Sequence, residues 1–337
     1  MMRSLLPWHR QNWNRLYGYI TQQRIPQGLL ITGNKGLGKQ QLAQQFAHSL
    51  LCTNPTVNGL ACGHCDACLL LKADTHPDFI LIKPDEPGKS ITISRIRSLI
   101  TQLTLKPQFD TYRVVIIDPA DLMNTNAANA FLKCLEEPTE RTIFLLITDK
   151  PAKLPATIAS RCQRLVIDKP NKDVAMAWLK QQAIVGNLEL LLNLAQGAPL
   201  LAQQLAQPLI AGNAAGDDYI KVRNHCFKAW LDIAAHRNHP AIIAEDWHKL
   251  PESPLVFWMT SWIIDLIKCF YHARPDSLYN PDFHEPLRQF SGRLELKGLY
   301  KLYDLLLITR QRLDTQINKQ LMIEEILIQW ADLNRRK

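Results

Sequence analysis

Four cysteines stand close together in Cys52-x9-Cys62-x2-Cys65-x2-Cys68. Four soft thiolates at this spacing can close a tetrahedral shell around Zn²⁺. Gly59 and Gly63 fall between them and permit the tight turns that such a shell requires. Four sulfurs fill the coordination sphere and leave no position for water or substrate, so the expected role is structural. His64 or His76 replacing one cysteine, or an iron–sulfur cluster, are the competing readings. The other four cysteines, Cys134, Cys162, Cys226 and Cys269, are scattered and are expected in the core.

A second chemical signature precedes the cysteines. Gly33-Asn34-Lys35-Gly36-Leu37-Gly38-Lys39-Gln40 fits the G-x-x-x-x-G-K pattern of a phosphate-binding loop. The glycines permit the turn, the backbone N–H groups face phosphate oxygens, and Lys39 reaches the outer phosphates. The next position requires a Ser or Thr hydroxyl for Mg²⁺, and this chain has Gln40. A carboxylate at the end of a following strand is supplied by Asp118. The glutamate that would polarise water beside it is replaced by Pro119, which has no such capacity. Phosphoryl transfer depends on positioning and charge stabilisation, so the two losses together argue against hydrolysis. Gly33, Gly38, Lys39 and Asp118 are thus read as a vestigial nucleotide site, with a ligand-free glycine turn as the plain alternative.

These groups need a scaffold. Short apolar runs at Gly28–Thr32, Phe79–Ile82, residues 113–118, Thr142–Thr148 and residues 164–167 read as strands. Helical patterns at residues 38–51, 94–104 and 124–137 lie between them. The alternation predicts an α/β fold with a parallel sheet covered on both faces. After Asp168 the patterns are helical: residues 171–184, 188–195 and Pro199–Leu205, then a Gly/Asn/Asp-rich linker at 211–218, then helices from Tyr219 onward. Ile323, Ile326, Leu327 and Trp330 share one helical face. Three domains are expected, at residues 1–167, 168–207 and 208–337.

The 337 residues are 47% hydrophobic and 21% charged, an ordinary globular composition with ample apolar content for a core. The net charge of +8 suits a protein that works near nucleic acid, although the charges are spread rather than clustered. Residues 1–13 lack an apolar signal region, and the apolar stretch 254–273 is interrupted by Thr260, Ser261, Asp265 and Lys268. A cytoplasmic chain with a buried helix, and no membrane span, is expected.

The motif order resembles the clamp-loader ATPase family of bacterial DNA polymerase III. After the loop and the cysteine insertion come His76-Pro77-Asp78, the strand ending in Asp118, Asn129-Ala130-Phe131-Leu132-Lys133-Cys134-Leu135-Glu136-Glu137-Pro138, and Thr157-Ile158-Ala159-Ser160-Arg161-Cys162. The match is close from about Trp8 to Ile167. The resemblance implies an AAA+-type P-loop domain with a zinc insertion, a small helical lid and an all-α collar. Within the family the degenerate loop is similar to the delta-prime branch. A lid arginine that the family carries just after Gly-x-Pro is absent here, where Gly197-Ala198-Pro199 runs into Leu200-Leu201.

The resemblance also implies that Arg161, in the Ser-Arg-Cys motif, acts as an arginine finger on a neighbouring subunit's ATP. A local bond to carbonyls or a carboxylate is the bland reading of the same residue. Implied partners are the gamma/tau and delta subunits and, through the complex, the sliding clamp and primed DNA. No intrinsic ATPase activity is expected, and the residues leave nucleotide binding at Lys39 open. An active gamma/tau-like motor, or a zinc-containing nucleic-acid-binding adaptor, are the rival functions. Glu136 and Glu137 are read as a helix end at a structural or subunit surface, Arg95 and Arg97 as a solvated face, and Trp258 and Trp262 as helix packing.

Overall fold

The computed structural model describes residues 5–86, 88–109, 111–137, 139–182, 184, 186–207, 219–313 and 318–335. The expected linker at 211–218 and Pro138 lie outside the described residues. The chain divides into two compact units, Met1–Trp178 and Leu179–Lys337.

The first unit carries α1 (Arg10–Thr21), β1 (Gly28–Thr32), α2 (Lys39–Leu51), α3 (Asp66–Lys72), β2 (Phe79–Ile82), α4 (Ile93–Leu103), β3 (Arg113–Ile117), α5 (Thr125–Glu136), β4 (Thr142–Thr148), α6 (Ala156–Ala159) and β5 (Gln163–Val166), and most of α7 (Lys172–Lys180). The described strands form one parallel sheet in the order β2-β3-β4-β1-β5. The three central strands, β3, β4 and β1, are buried along their whole length. Their unbroken apolar runs are what a sheet covered on both faces demands. β5 closes one edge and exposes Gln163, Arg164 and Val166 while burying Leu165. A polar edge discourages pairing with another chain's strand.

On one face, Ile96, Leu99 and Leu103 of α4 and Ala127, Phe131 and Cys134 of α5 pack with Val115, Ile117, Phe144 and Leu146. The Asn124 side chain caps α5 by accepting from the Ala127 N–H at 2.8 Å, which satisfies an otherwise orphaned donor. α2 packs on β1, β3 and β4 through a helix whose Leu42, Ala43, Phe46 and Ala47 are fully buried. Helix α7 stops at Lys180, short of the expected residue 184. Its apolar periodicity ends at the buried Leu179, and Gln181 and Gln182 offer no buried face to extend it.

His76-Pro77-Asp78 has a structural job. Asp78 is fully buried and accepts from the Gln108 and Phe109 N–H groups, both at 2.9 Å, and from Arg113 Nη2 at 3.3 Å. Arg113 in turn donates to the Gln102 and Leu105 carbonyls at 3.1 and 2.8 Å. A buried charge pair is tolerated because each partner's remaining valences are filled. The pair ties the start of β3 to the end of α4.

The second unit is helical among its described residues: α8 (Leu188–Leu194), α9 (Pro199–Leu205), α10 (Tyr219–Ala234), α11 (Pro240–Trp247), α12 (Glu252–Phe270), α13 (His284–Ser291), α14 (Leu296–Arg312) and α15 (Lys319–Arg335). Helix α12 is long and apolar enough to cross a membrane by length and composition, yet Leu255, Trp258, Trp262 and Leu266 are wholly buried at the centre of this unit. Ile323, Ile326, Leu327 and Trp330 of α15 face the same core. Trp230 and Trp330 stack at 3.8 Å, and Trp258 donates its indole N–H to the Tyr219 hydroxyl at 2.6 Å. The buried Arg223 is held by Asn280 and Asp282 and lies over the Phe283 ring, 4.0 Å from its centre. Trp258 and Trp262 are packing residues, with no exposed face for stacking on bases.

Candidate functional site

Parallel strands carry their C-terminal ends to one edge, where α/β folds place their ligands. At that edge β1 leads into the Gly33–Gln40 loop, β3 into Asp118 and β4 into Asp149. Gly33, Gly36 and Gly38 have φ of 150°, 80° and 81°, values that favour glycine. A β-carbon on Gly33 would lie 2.5 Å from the Ile167 carbonyl, so only glycine lets the loop leave β1 beside β5.

Lys39, 5% exposed, opens α2 and turns its ammonium back across the loop. It donates to the Asn34 carbonyl at 2.7 Å and forms an ion pair with Asp149. A phosphate would compete with the Asp149 carboxylate for the same ammonium. Asp118 lies in this group: burial raises its carboxyl above the usual range, Lys83 and Lys39 oppose that rise, and Asp149 and Asp121 add to it. Asp149 belongs to no local motif. Its one signal was a carboxylate directly after an apolar strand, and which strand neighbours β1 is a tertiary matter.

The loop is also gripped from the N-terminus. Trp8 donates its indole N–H to the Leu37 carbonyl at 2.9 Å, and His9 Nε2 reaches the same oxygen at 2.7 Å. A carbonyl only accepts, so His9 Nε2 carries a proton. Its Nδ1 is buried without a partner. Burial accordingly lowers the His9 pKa from 6.5 to about 4, with the bond to Leu37 opposing the shift. A histidine with a depressed folded pKa contributes stability that is full above 6.5 and is lost as pH falls toward 4. Thermal unfolding of the wild type is expected to lose up to about 3 kcal/mol from this residue across that window. His9→Gln keeps an N–H for Leu37 and should flatten that part of the profile. An unchanged acid limb in the variant would remove His9 as its source.

Arg161 follows α6. Its neighbour Cys162 is buried, with the sulfur against β1: a β-carbon on Gly28 would meet Cys162 Sγ at 3.0 Å. Anchoring Cys162 inward leaves Arg161 directed outward and 39% exposed. Its guanidinium pairs with Glu136 at 2.8 Å and donates to the Thr157 carbonyl at 3.0 Å. The bland reading, local bonds to a carbonyl and a carboxylate, therefore describes Arg161 in the chain by itself.

The four cysteines converge. Cys52, Cys62, Cys65 and Cys68 offer sulfurs that all lie within 4.8 Å of one another. The pairs Cys52–Cys65 and Cys62–Cys68 are 3.8 and 3.9 Å apart. Four sulfurs at ~2.3 Å from a tetrahedral Zn²⁺ would be separated by about 3.8 Å. The Cys62 and Cys65 N–H groups point at Cys52 and Cys62 sulfurs at 3.3 and 3.4 Å, bonds that favour thiolate. Gly59 and Gly63 adopt φ of 73° and 83°. A β-carbon at Gly59 would strike the Tyr17 ring, so the knuckle seats tightly on α1. Trp13 and Tyr17 bond the Asn58 and Val57 carbonyls at 3.0 and 3.1 Å. The cluster could hold a metal ion. His76 is not among its ligands: it is buried and stacked on Phe109.

Arg95 is half exposed and pairs with Asp85 at 3.0 Å, as a solvated face would.

Comparison with known proteins decides the family. Residues 8–171 match the model for "DNA polymerase III, delta subunit", and residues 217–332 match "DNA polymerase III, delta subunit, C terminal". The chain is 31% identical to DNA polymerase III subunit delta' of Pseudomonas aeruginosa over 337 residues, covering 98% of this chain and 99% of that one. This chain belongs to the delta' family of DNA polymerase III subunits. The delta' subunit of Escherichia coli is 27% identical over 326 residues, covering 96% of this chain and 94% of its own. A solved gamma subunit-related protein of Thermotoga maritima superposes with a TM-score of 0.46 at 19% identity, covering 95% and 99% of the two chains. For a delta' family member, the arrangement at the loop is pertinent: Lys39 is engaged by the chain's own Asp149 and Asn34, while Arg161 stands at the surface.

Proposed function

We propose that this delta' family member completes an ATP-driven clamp loader without turning over ATP itself, and lends Arg161 in trans to a neighbouring subunit's nucleotide. The observation that carries the reading is a loop whose lysine is held by Asp149, beside Gln40 and Pro119 in place of the hydroxyl and the base. Such a site lacks the groups that orient metal and water. Arg161, by contrast, is a half-exposed guanidinium whose fork suits a γ-phosphate. The partners are the gamma/tau and delta subunits, and the complex acts on the sliding clamp and primed DNA in the cytoplasm. Residues 1–167 act as the AAA+-type domain, 168–207 as the lid and 208–337 as the collar that joins the assembly. Cys52, Cys62, Cys65 and Cys68 hold a structural Zn²⁺.

The test is ATP turnover by the purified chain alone, and then mixed with an active gamma-type subunit and delta. No turnover alone is expected, with clamp- and DNA-stimulated turnover in the mixture exceeding that of gamma and delta without this chain. Sustained turnover by the chain alone would replace this reading with that of a motor subunit.

A further inference from the structure

Glu136 is the last residue of α5, and Arg161 lies in the turn after α6. Their ion pair at 2.8 Å engages Arg161 Nη2, while Nη1 donates to the Thr157 carbonyl at 3.0 Å. Both side chains are partly exposed, at 39% and 48%. The carbonyl bond is neutral and compatible with a second anion on the guanidinium. The carboxylate is not: a γ-phosphate approaching Nη2 meets a like charge already bonded there, and two anions on one fork repel. The more highly charged phosphate displaces the carboxylate.

We infer that Glu136 is a positioning residue that masks Arg161 until a neighbouring subunit's nucleotide takes its place. The inference rests on the arginine-finger reading above. The mask holds the guanidinium in one orientation in the unassembled chain and opposes its transfer to nucleotide in the complex. An exposed pair of this kind shifts such an exchange by roughly two- to fivefold. Arg161 meets the γ-phosphate in the ground state as well as the transition state, so release of the mask acts on KM.

The experiment uses the full chain reconstituted with gamma-type and delta subunits. Glu136→Gln should lower the KM for ATP by two- to fivefold, with the effect falling on KM rather than kcat. The difference from wild type should shrink as salt screens the pair, and should vanish in an Arg161→Ala background. In the isolated chain, Arg161 should react faster with an arginine-specific dicarbonyl reagent once Glu136 is glutamine, read by peptide mass spectrometry. An unchanged KM, or a lowered kcat, in a complex where Arg161→Ala does slow turnover would overturn the mask and leave the finger intact. Normal turnover by the Arg161→Ala complex would overturn both, while the reagent would still report whether the ion pair exists.

Discussion

Arg161→Ala is expected to leave the chain folded and assembled while slowing ATP turnover at the site it faces by about 10³-fold or more, the effect of removing an arginine finger. The size follows from where charge develops. As the γ-phosphoryl group transfers, negative charge spreads over its oxygens, and a guanidinium delivered in a water-poor interface stabilises that charge far more than solvent does. The loss of stability should be small by comparison. The ion pair that Arg161 makes with Glu136 is at the surface, and such pairs are worth ~0–1 kcal/mol. The bond to Thr157 is likewise partly solvated. Assembly by gel filtration, a melting temperature near that of wild type and a collapse of single-turnover hydrolysis at one site form the expected pattern. Arg161→Lys keeps the charge but lacks the planar fork, and should recover only part of the rate. Wild-type hydrolysis in the Arg161→Ala complex would remove the finger role and return Arg161 to a surface ion pair.

Removing the metal should produce the second large effect. Protein purified without added metal is expected to carry one zinc per chain, released by a strong chelator or by a thiol-blocking reagent. Zinc sites of this type stabilise isolated fingers by ~10–16 kcal/mol at neutral pH. Here the cost should be smaller, because Trp13, Tyr17 and Ser49 also hold the knuckle through its backbone carbonyls. Loss of metal, or Cys68→Ser at a buried ligand, should leave the five-stranded sheet folded. It should also make the segment between Cys52 and Cys68 sensitive to protease and lower the melting temperature of the first unit. Thiolates bind metal in competition with protons, so release should begin as pH falls. Metal analysis showing no zinc in protein whose cysteines are all titratable as free thiols would overturn the site's occupant, and iron with a visible absorption band would point to a cluster.

The chain's local patterns determined a great deal. Period and composition placed β1, β2 and β4 at their observed bounds: β1 and β4 because a strand buried on both faces must be a short unbroken apolar run, and β2, half-buried at the sheet edge, because it too is an apolar run. The cysteine spacing, the glycines at positions 33, 36 and 38, and the replacements Gln40 and Pro119 were legible because each is a local chemical requirement. Cys134 and the Trp258–Trp262 pair were legible from helical period alone. What lay beyond reach was contact across the sheet order. That Asp149 engages Lys39 depends on β4 lying beside β1, a neighbour set by the β2-β3-β4-β1-β5 topology and not by any short stretch of residues. His9 and Trp8 meeting Leu37, Asp78 meeting Arg113, and Glu136 meeting Arg161 are likewise separated by many residues. Residue type says that a charge needs a partner, because an unpaired charge in a protein interior is costly. Only the packing of the elements says which partner it has.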